Sequence, residues 1–134
     1  TRLYKKVIQS GLVDVISHPG SARYPSDYEE VLVCAKENNV AIEINSSSDI
    51  NTRFGSHDNC IEIAKLAKKI GNTISLGSDA HICYYIGNFE SVLEILKQAD
   101  ISDDKIINTS PSKVLDFLES RGHKPIVEMR NFFK

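Results

Sequence analysis

No apolar run in this chain is long enough to cross a membrane, and no charged leader with an apolar core marks a secretory signal. Those absences point to a cytoplasmic protein with no membrane partner. Basic clusters are lacking too. Lys and Arg number 16 against 18 Asp and Glu, a formal charge of -2 that gives no footing for nucleic acid or an anionic lipid surface. Cysteine is sparse. Cys34, Cys60 and Cys83 are odd in number and widely spaced, so they make neither a disulfide framework nor a CxxC zinc motif. An initial methionine is also missing. The first segment, TRLYKKVIQSG, reads as the tail of a helix, with Leu3, Val7 and Ile8 on one face, Lys5 and Lys6 in the last turn and Gly11 as the stop. The expectation is that the chain begins inside a larger protein.

What is present suits a folded domain. With 134 residues, 41% of them hydrophobic and 25% charged, the chain can bury a core as one unit. Leu12, Val13, Val15 and Ile16 form a near-continuous apolar run ending at His18-Pro19-Gly20, the pattern of a parallel strand buried on both faces. A helix follows, opened by a capping box from Ser26 to Glu29, lined by Tyr28, Val31, Leu32 and Ala35, and closed by Asn38-Asn39. Val40 to Asn45 is the second strand, and SSSDINTRFGS a longer loop. The next helix runs from Ser56 to Ile70, with Cys60, Ile63, Ala64 and Ala67 inward and Gly71 as its stop.

Thr73 to Gly77 is the third strand, and its loop SDAHICYYIG leads to a helix capped by Asn88, with Phe89, Val92, Leu93 and Leu96 inward. Lys105 to Asn108 reads as a fourth strand. Ser110-Pro111 then starts a helix with Val114, Leu115 and Leu118 inward and Gly122 at its end. The remainder, HKPIVEMRNFFK, has no period, though Phe132 and Phe133 point to packing against something. Strand, loop and helix thus recur four times at a spacing of roughly thirty residues, the size of a βα crossover unit. The fold class is α/β, with parallel strands alternating with helices and right-handed connections. Four units are too few to close an eight-stranded barrel, so the reading is part of one.

Parallel strands bring their C-terminal ends to one rim, where ligands bind. The first strand ends in His18, the second in Asn45, the third in Asp79 with His81 beyond, and the fourth in Asn108. A carboxylate and two imidazoles suit zinc, manganese or iron. Each has a plainer reading when taken alone: Asp79 caps a turn, His81 is an ordinary histidine, and His18 is a cap before Pro19. Asn45 reads equally as a turn residue or a substrate contact, and Asn108 as structural. Three potential metal ligands at one rim tip the reading toward a metal site.

DVISHPG, EINSSS followed by NTRFGS, and LGSDAH followed by IGNF together resemble the C-terminal half of the PHP (polymerase and histidinol phosphatase) family. The likeness is greatest to its stand-alone bacterial phosphatases and runs from Leu12 to about Gly122. It implies the C-terminal part of a distorted seven-stranded β/α (TIM-like) barrel whose strand ends hold up to three metal ions, usually zinc, sometimes manganese or iron. Residues 1–134 would then be a single partial domain, its N-terminal half absent. Carried over by motif, His18, Asp79 and His81 match metal ligands and act in catalysis through the metal. Arg53 sits where a basic residue meets a substrate phosphate, with Arg23 a lesser candidate. His57 and His123 match no family ligand and read as surface residues, and Cys83 as a packed thiol. The family's N-terminal HxH motif, further histidines and bridging glutamate have no counterpart among the four histidines here.

The implied function is a metal-dependent phosphoesterase, a hydrolase that cleaves a small phosphate monoester with a metal-activated water. The intact parent is the enzyme, and the isolated chain is expected to be inactive. The Ser46-Ser47-Ser48 run reads as loop, since no histidine base adjoins it. Two alternatives come from other classes: a non-catalytic metal-binding or interaction fragment, and a nuclease-like PHP domain of a DNA polymerase. The -2 charge leans against the second. Expected partners are the phosphorylated substrate, the missing half of the barrel and, through exposed sheet edges, a second copy of the chain.

Overall fold

The computed structural model describes residues 1–46 and 55–133. Six α-helices and three short strands alternate along them: α1 (Arg2–Gln9), β1 (Val15–Ile16), α2 (Tyr28–Glu37), β2 (Ala41–Asn45), α3 (His57–Ile70), β3 (Ile74–Gly77), α4 (Glu90–Gln98), α5 (Pro111–Ser120) and α6 (Val127–Phe132). The strands form one parallel sheet in the order β1-β2-β3, with Val15 opposite Ala41, Ile42 opposite Ile74 and Asn45 opposite Gly77. Successive side chains on a strand point to opposite faces. Ile42 and Ile44 therefore share one face of β2, where they join Ile16, Ile74 and the buried sides of α2, α3 and α4 in a single core. Glu43 and Asn45 share the other face.

The helices form where the apolar period is clean. In α3 the inward residues are Cys60, Ile63, Ala64 and Ala67, as the spacing predicts, and Gly71 ends the helix in the left-handed conformation at φ 82°. That conformation costs a Cβ-bearing residue about 1–2 kcal/mol, which glycine avoids. In α5, Ser110 Oγ accepts from the Lys113 amide and Pro111 sits at the first helical position, again as expected. The core also fully buries Ile8, Leu32, Ile63, Ile74 and Ile95. Each such side chain contributes roughly 1.5–3 kcal/mol when removed from water.

Several expectations are corrected. The cap of α2 is Asp27, whose Oδ1 accepts from the Glu30 amide, and not Ser26, whose buried hydroxyl has no partner. Leu12 is 88% exposed, because β1 begins only at Val15. Leu3 and Leu93 are exposed as well; α4 buries Val92 and Leu96 as predicted, with Ile95 buried in place of Leu93. The C-terminal segment forms α6, but Phe132 and Phe133 stack edge-to-face on each other in the solvent.

The expected fourth strand is the largest difference. Residues 103–105 and 107–109 form 3₁₀ turns, and Ile106 between them makes a single parallel bridge to Ile74. The Asn108 side chain then does what a strand would do: its Nδ2 donates to Leu76 O at 2.8 Å, and its Oδ1 accepts from Leu76 N at 2.9 Å. A side-chain amide has the same donor and acceptor spacing as a peptide group, so one residue closes this edge.

Candidate active site

The parallel order sends the C-terminal ends of the three strands to one edge of the sheet. His18 follows β1 by two residues, Asn45 ends β2, and Asp79 and His81 follow β3. Topology therefore brings all four to the same rim, although they are far apart in sequence.

The backbone at this rim is under strain. Among the described residues, four other than glycine have positive φ: His18 (37°), Asn39 (51°), Asp79 (50°) and Asp100 (52°). Asn39 and Asp100 are accounted for by helix ends. Each lies just past a helix whose closing bond runs on by one residue, Val40 N to Ala35 O and Ile101 N to Leu96 O. His18 and Asp79 close no helix. They sit two residues beyond strands, and His18 also precedes Pro19, which further disfavours a helical backbone. Each such residue costs of order 1–3 kcal/mol and persists only where its surroundings hold it.

Those surroundings can be named for His18. Its amide donates to Glu43 Oε2 at 2.7 Å, reaching from β1's loop to the central strand. The same oxygen accepts from Asn45 Nδ2 at 3.1 Å. Farther along the loop, Asn59 Nδ2 donates to Gly20 O at 3.0 Å, and Ala22 N donates to Ser56 Oγ at 3.2 Å, so the start of α3 clamps the segment. Gly20 is pressed so closely on Cys60 Sγ that a Cβ there would lie 3.1 Å from the sulfur. Sequence reasoning missed Glu43. The available signal was a carboxylate inside an otherwise apolar strand, VAIEIN, two residues from Asn45 and so on the same face.

On the β3 side, His81 Nδ1 lies 2.7 Å from Asp79 O. A carbonyl can only accept, so Nδ1 is the donor in this bond, which leaves Nε2 as the ring nitrogen available to a metal. That is the tautomer of a metal-ligating histidine, whose other ring nitrogen donates to a carbonyl or carboxylate. Ser46 Oγ donates to Ser78 O at 3.3 Å and Ser91 Oγ to Ser46 O at 2.9 Å, tying the ends of β2 and β3 to α4. The donor chemistry of His18, Asp79 and His81 fits a divalent transition metal. Among the described residues, no three side chains of His, Cys, Asp or Glu are gathered closely enough to hold one.

Arg53 lies outside the described residues, Arg23 is exposed, and Asn45 is only 2% exposed with its amide on Glu43. Cys83 is exposed and not packed as expected, at the start of the 3₁₀ turn Cys83–Tyr85. His123, expected at the surface without a role, is hydrogen-bonded to Asp14 Oδ1 at 2.8 Å. That contact belongs to a cluster at the opposite end of β1. There Arg121 Nε donates to Asp14 Oδ1 at 2.6 Å, and its other nitrogens donate to Val13 O, Asn38 O and Asn39 O. Burial pushes the Asp14 carboxyl up, but the bonds from Arg121 and His123 outweigh this and hold it below its ordinary value. No described helix is long and apolar enough to cross a membrane.

Comparison with known proteins places these residues in context. The chain is 51% identical over 131 residues to a probable phosphatase of Proteus mirabilis, covering 98% of this chain and 54% of that protein. It is 47% identical over 121 residues to the probable phosphatase YcdX of Escherichia fergusonii, covering 90% of this chain and 49% of that protein. A probable phosphatase of Clostridium novyi is 50% identical over 116 residues, covering 87% and 48%. The chain thus spans about half the length of the curated relatives it matches. No protein-family model matches it. These similarities support a phosphatase relationship.

Proposed function

From that phosphatase kinship we propose that the chain is the C-terminal part of a PHP-type β/α barrel and supplies part of the site of a metal-dependent phosphoesterase acting on a small phosphate monoester. His18, Asp79 and His81 are its metal ligands, with zinc the expected metal and manganese or iron the alternatives. The observation that carries the reading is the pair of left-handed residues, His18 and Asp79, at the ends of β1 and β3. Strain of this kind, unexplained by helix ends, collects at functional sites.

When bound, the divalent cations supply positive charge that acidifies a water nucleophile and offsets the charge developing on the phosphoryl oxygens. The chain's own residues set the geometry. The Asp79 carbonyl accepts from the His81 ring at Nδ1 and leaves Nε2 as the nitrogen for the metal. Arg53 is the candidate phosphate contact, since a guanidinium fork matches phosphate oxygens. The Ser46 hydroxyl is engaged on Ser78 O, in keeping with a water nucleophile and not a serine. Further ligands and the rest of the barrel come from residues outside these 134, in the same polypeptide or in a partner.

The test is metal analysis by mass spectrometry paired with p-nitrophenyl phosphate hydrolysis, with and without added zinc or manganese. The expected result is weak zinc uptake, abolished by Asp79→Asn and by His81→Ala with circular dichroism unchanged, and turnover only after the complementary half is added. Zinc uptake that ignores His18→Ala, Asp79→Asn and His81→Ala alike would refute the ligand assignment. A partial barrel with open edges also self-associates on this reading. Sedimentation velocity showing only monomer at micromolar concentration would count against it.

A further inference from the structure

The left-handed backbone at His18 has one carboxylate beneath it. Glu43 reaches up from the central strand and accepts the His18 amide at 2.7 Å, while its same oxygen takes the Asn45 amide at 3.1 Å. Its other oxygen lies where a Cβ at position 77 would be. An alanine there would overlap the carboxylate and approach Asn45 Nδ2 to 3.3 Å. The φ of Gly77 is not in the left-handed region, so the glycine is required by this close approach and not by its conformation. Three strands thus meet at one carboxylate: β1's loop through His18, β2 through Glu43 and Asn45, and β3 through Gly77.

We propose that Glu43 is the positioning residue of the rim, holding the His18 main chain in its strained conformation and so aiming the imidazole, with Gly77 as the clearance that lets the carboxylate stand there. The role in aiming a metal ligand rests on the phosphoesterase reading; the hold on the His18 backbone does not. The role assigned to Glu43 is to hold the backbone, since one of its oxygens is already occupied by two N–H donors. A charge-assisted bond to a backbone N–H is among the stronger available, which suits a contact opposing backbone strain.

The experiment uses the 134-residue chain and four variants: Glu43→Gln, Glu43→Ala, Gly77→Ala and the double variant Glu43→Ala/Gly77→Ala. Amide hydrogen exchange by NMR reports on His18, with Ile42, whose amide bonds Thr73 O at 3.0 Å, as the fold control. Zinc titration followed on the His18 ring signals reports on aiming. Glu43→Ala and Gly77→Ala should each speed His18 exchange by about ten- to a hundredfold, the equivalent of one hydrogen bond to a charged group, and leave Ile42 unchanged. Glu43→Gln, which keeps an acceptor but loses the charge, should fall between wild type and Glu43→Ala. Zinc affinity should fall about 10–100-fold in the two disruptive variants.

Gly77→Ala should add nothing in the Glu43→Ala background, because the clash partner is gone. Unchanged His18 exchange in Glu43→Ala, or a Gly77→Ala effect that persists without Glu43, overturns the proposal. Should Glu43→Ala fail to fold, the folded Gly77→Ala chain decides alone by the same criterion. If the wild-type chain takes up no zinc, the metal reading fails, while His18 exchange still decides whether Glu43 holds the backbone.

Discussion

Replacing Arg121 by alanine should remove a large share of this chain's stability. The guanidinium side chain is 6% exposed and donates four hydrogen bonds, one to the Asp14 carboxylate and three to the carbonyls of Val13, Asn38 and Asn39. It joins the entry to β1 with the exit of α2, whose last carbonyls carry the negative end of the helix dipole. Truncation would strand Asp14, 30% exposed, with only His123 as a described partner. Breaking one side of a largely buried pair costs about 3–5 kcal/mol. A domain's whole stability is about 5–15 kcal/mol, so the loss is a large share of it.

Urea denaturation followed by circular dichroism measures the effect. With a slope of about 1–3 kcal/mol per molar for a small protein, the midpoint should fall by at least about 1 M. Arg121→Lys should recover little, because an ammonium cannot span a carboxylate and three carbonyls at once. A midpoint shift below about 0.3 M at unchanged slope would refute the reasoning, since about 1 kcal/mol or less is the worth of an exposed pair. Asp14→Asn combined with Arg121→Ala should cost less than the two separate losses added together.

The remaining predictions concern the same fold. The Asp14 carboxyl is held below its ordinary value, so its contribution is complete above the unfolded value of about 3.9 and disappears as pH falls through the lower folded value. Wild type should therefore lose its stability advantage over Asp14→Asn only below about pH 4, and parallel stability curves from pH 2 to 6 would contradict this. Asn108→Ala should cost about 1–2 kcal/mol and speed exchange of the Leu76 amide, because two hydrogen bonds of the sheet edge vanish together. Asn108→Asp, which keeps only the acceptor, should fall between; equal exchange in all three chains would sink the idea.

Local periodicity made the helices legible. The inward face of α3 follows from apolar spacing alone, as does the proline-led start of α5. The ends of the strands were legible too, since His18, Asn45 and Asp79 each stand where an apolar run meets polar residues. Position 93 was misjudged because Leu93 and Ile95 satisfy the helical spacing almost equally; packing against α3 selects Ile95. The fourth strand was misjudged because an Ile-Ile pair looks extended, whereas only Ile106 faces the core and a side-chain amide takes over the pairing. Arg121 was invisible for a different reason. Its partners lie more than eighty residues away, and no local pattern announces a contact of that range.

The two borders of the sheet are chemically unlike. Beyond β3, Leu76 has both its amide and its carbonyl occupied by Asn108, and Ile74 is bridged to Ile106, so nothing is left there to template another strand. Beyond β1, no described strand follows Val15–Ile16. A ribbon of many copies needs two complementary borders, one to give and one to receive, and the described sheet offers free backbone groups along one. Strand pairing between two copies through the described sheet would set β1 against β1 across a two-fold axis, an antiparallel ladder limited to two copies. The single amide of Asn108 thus caps one border of the described sheet against further strand pairing.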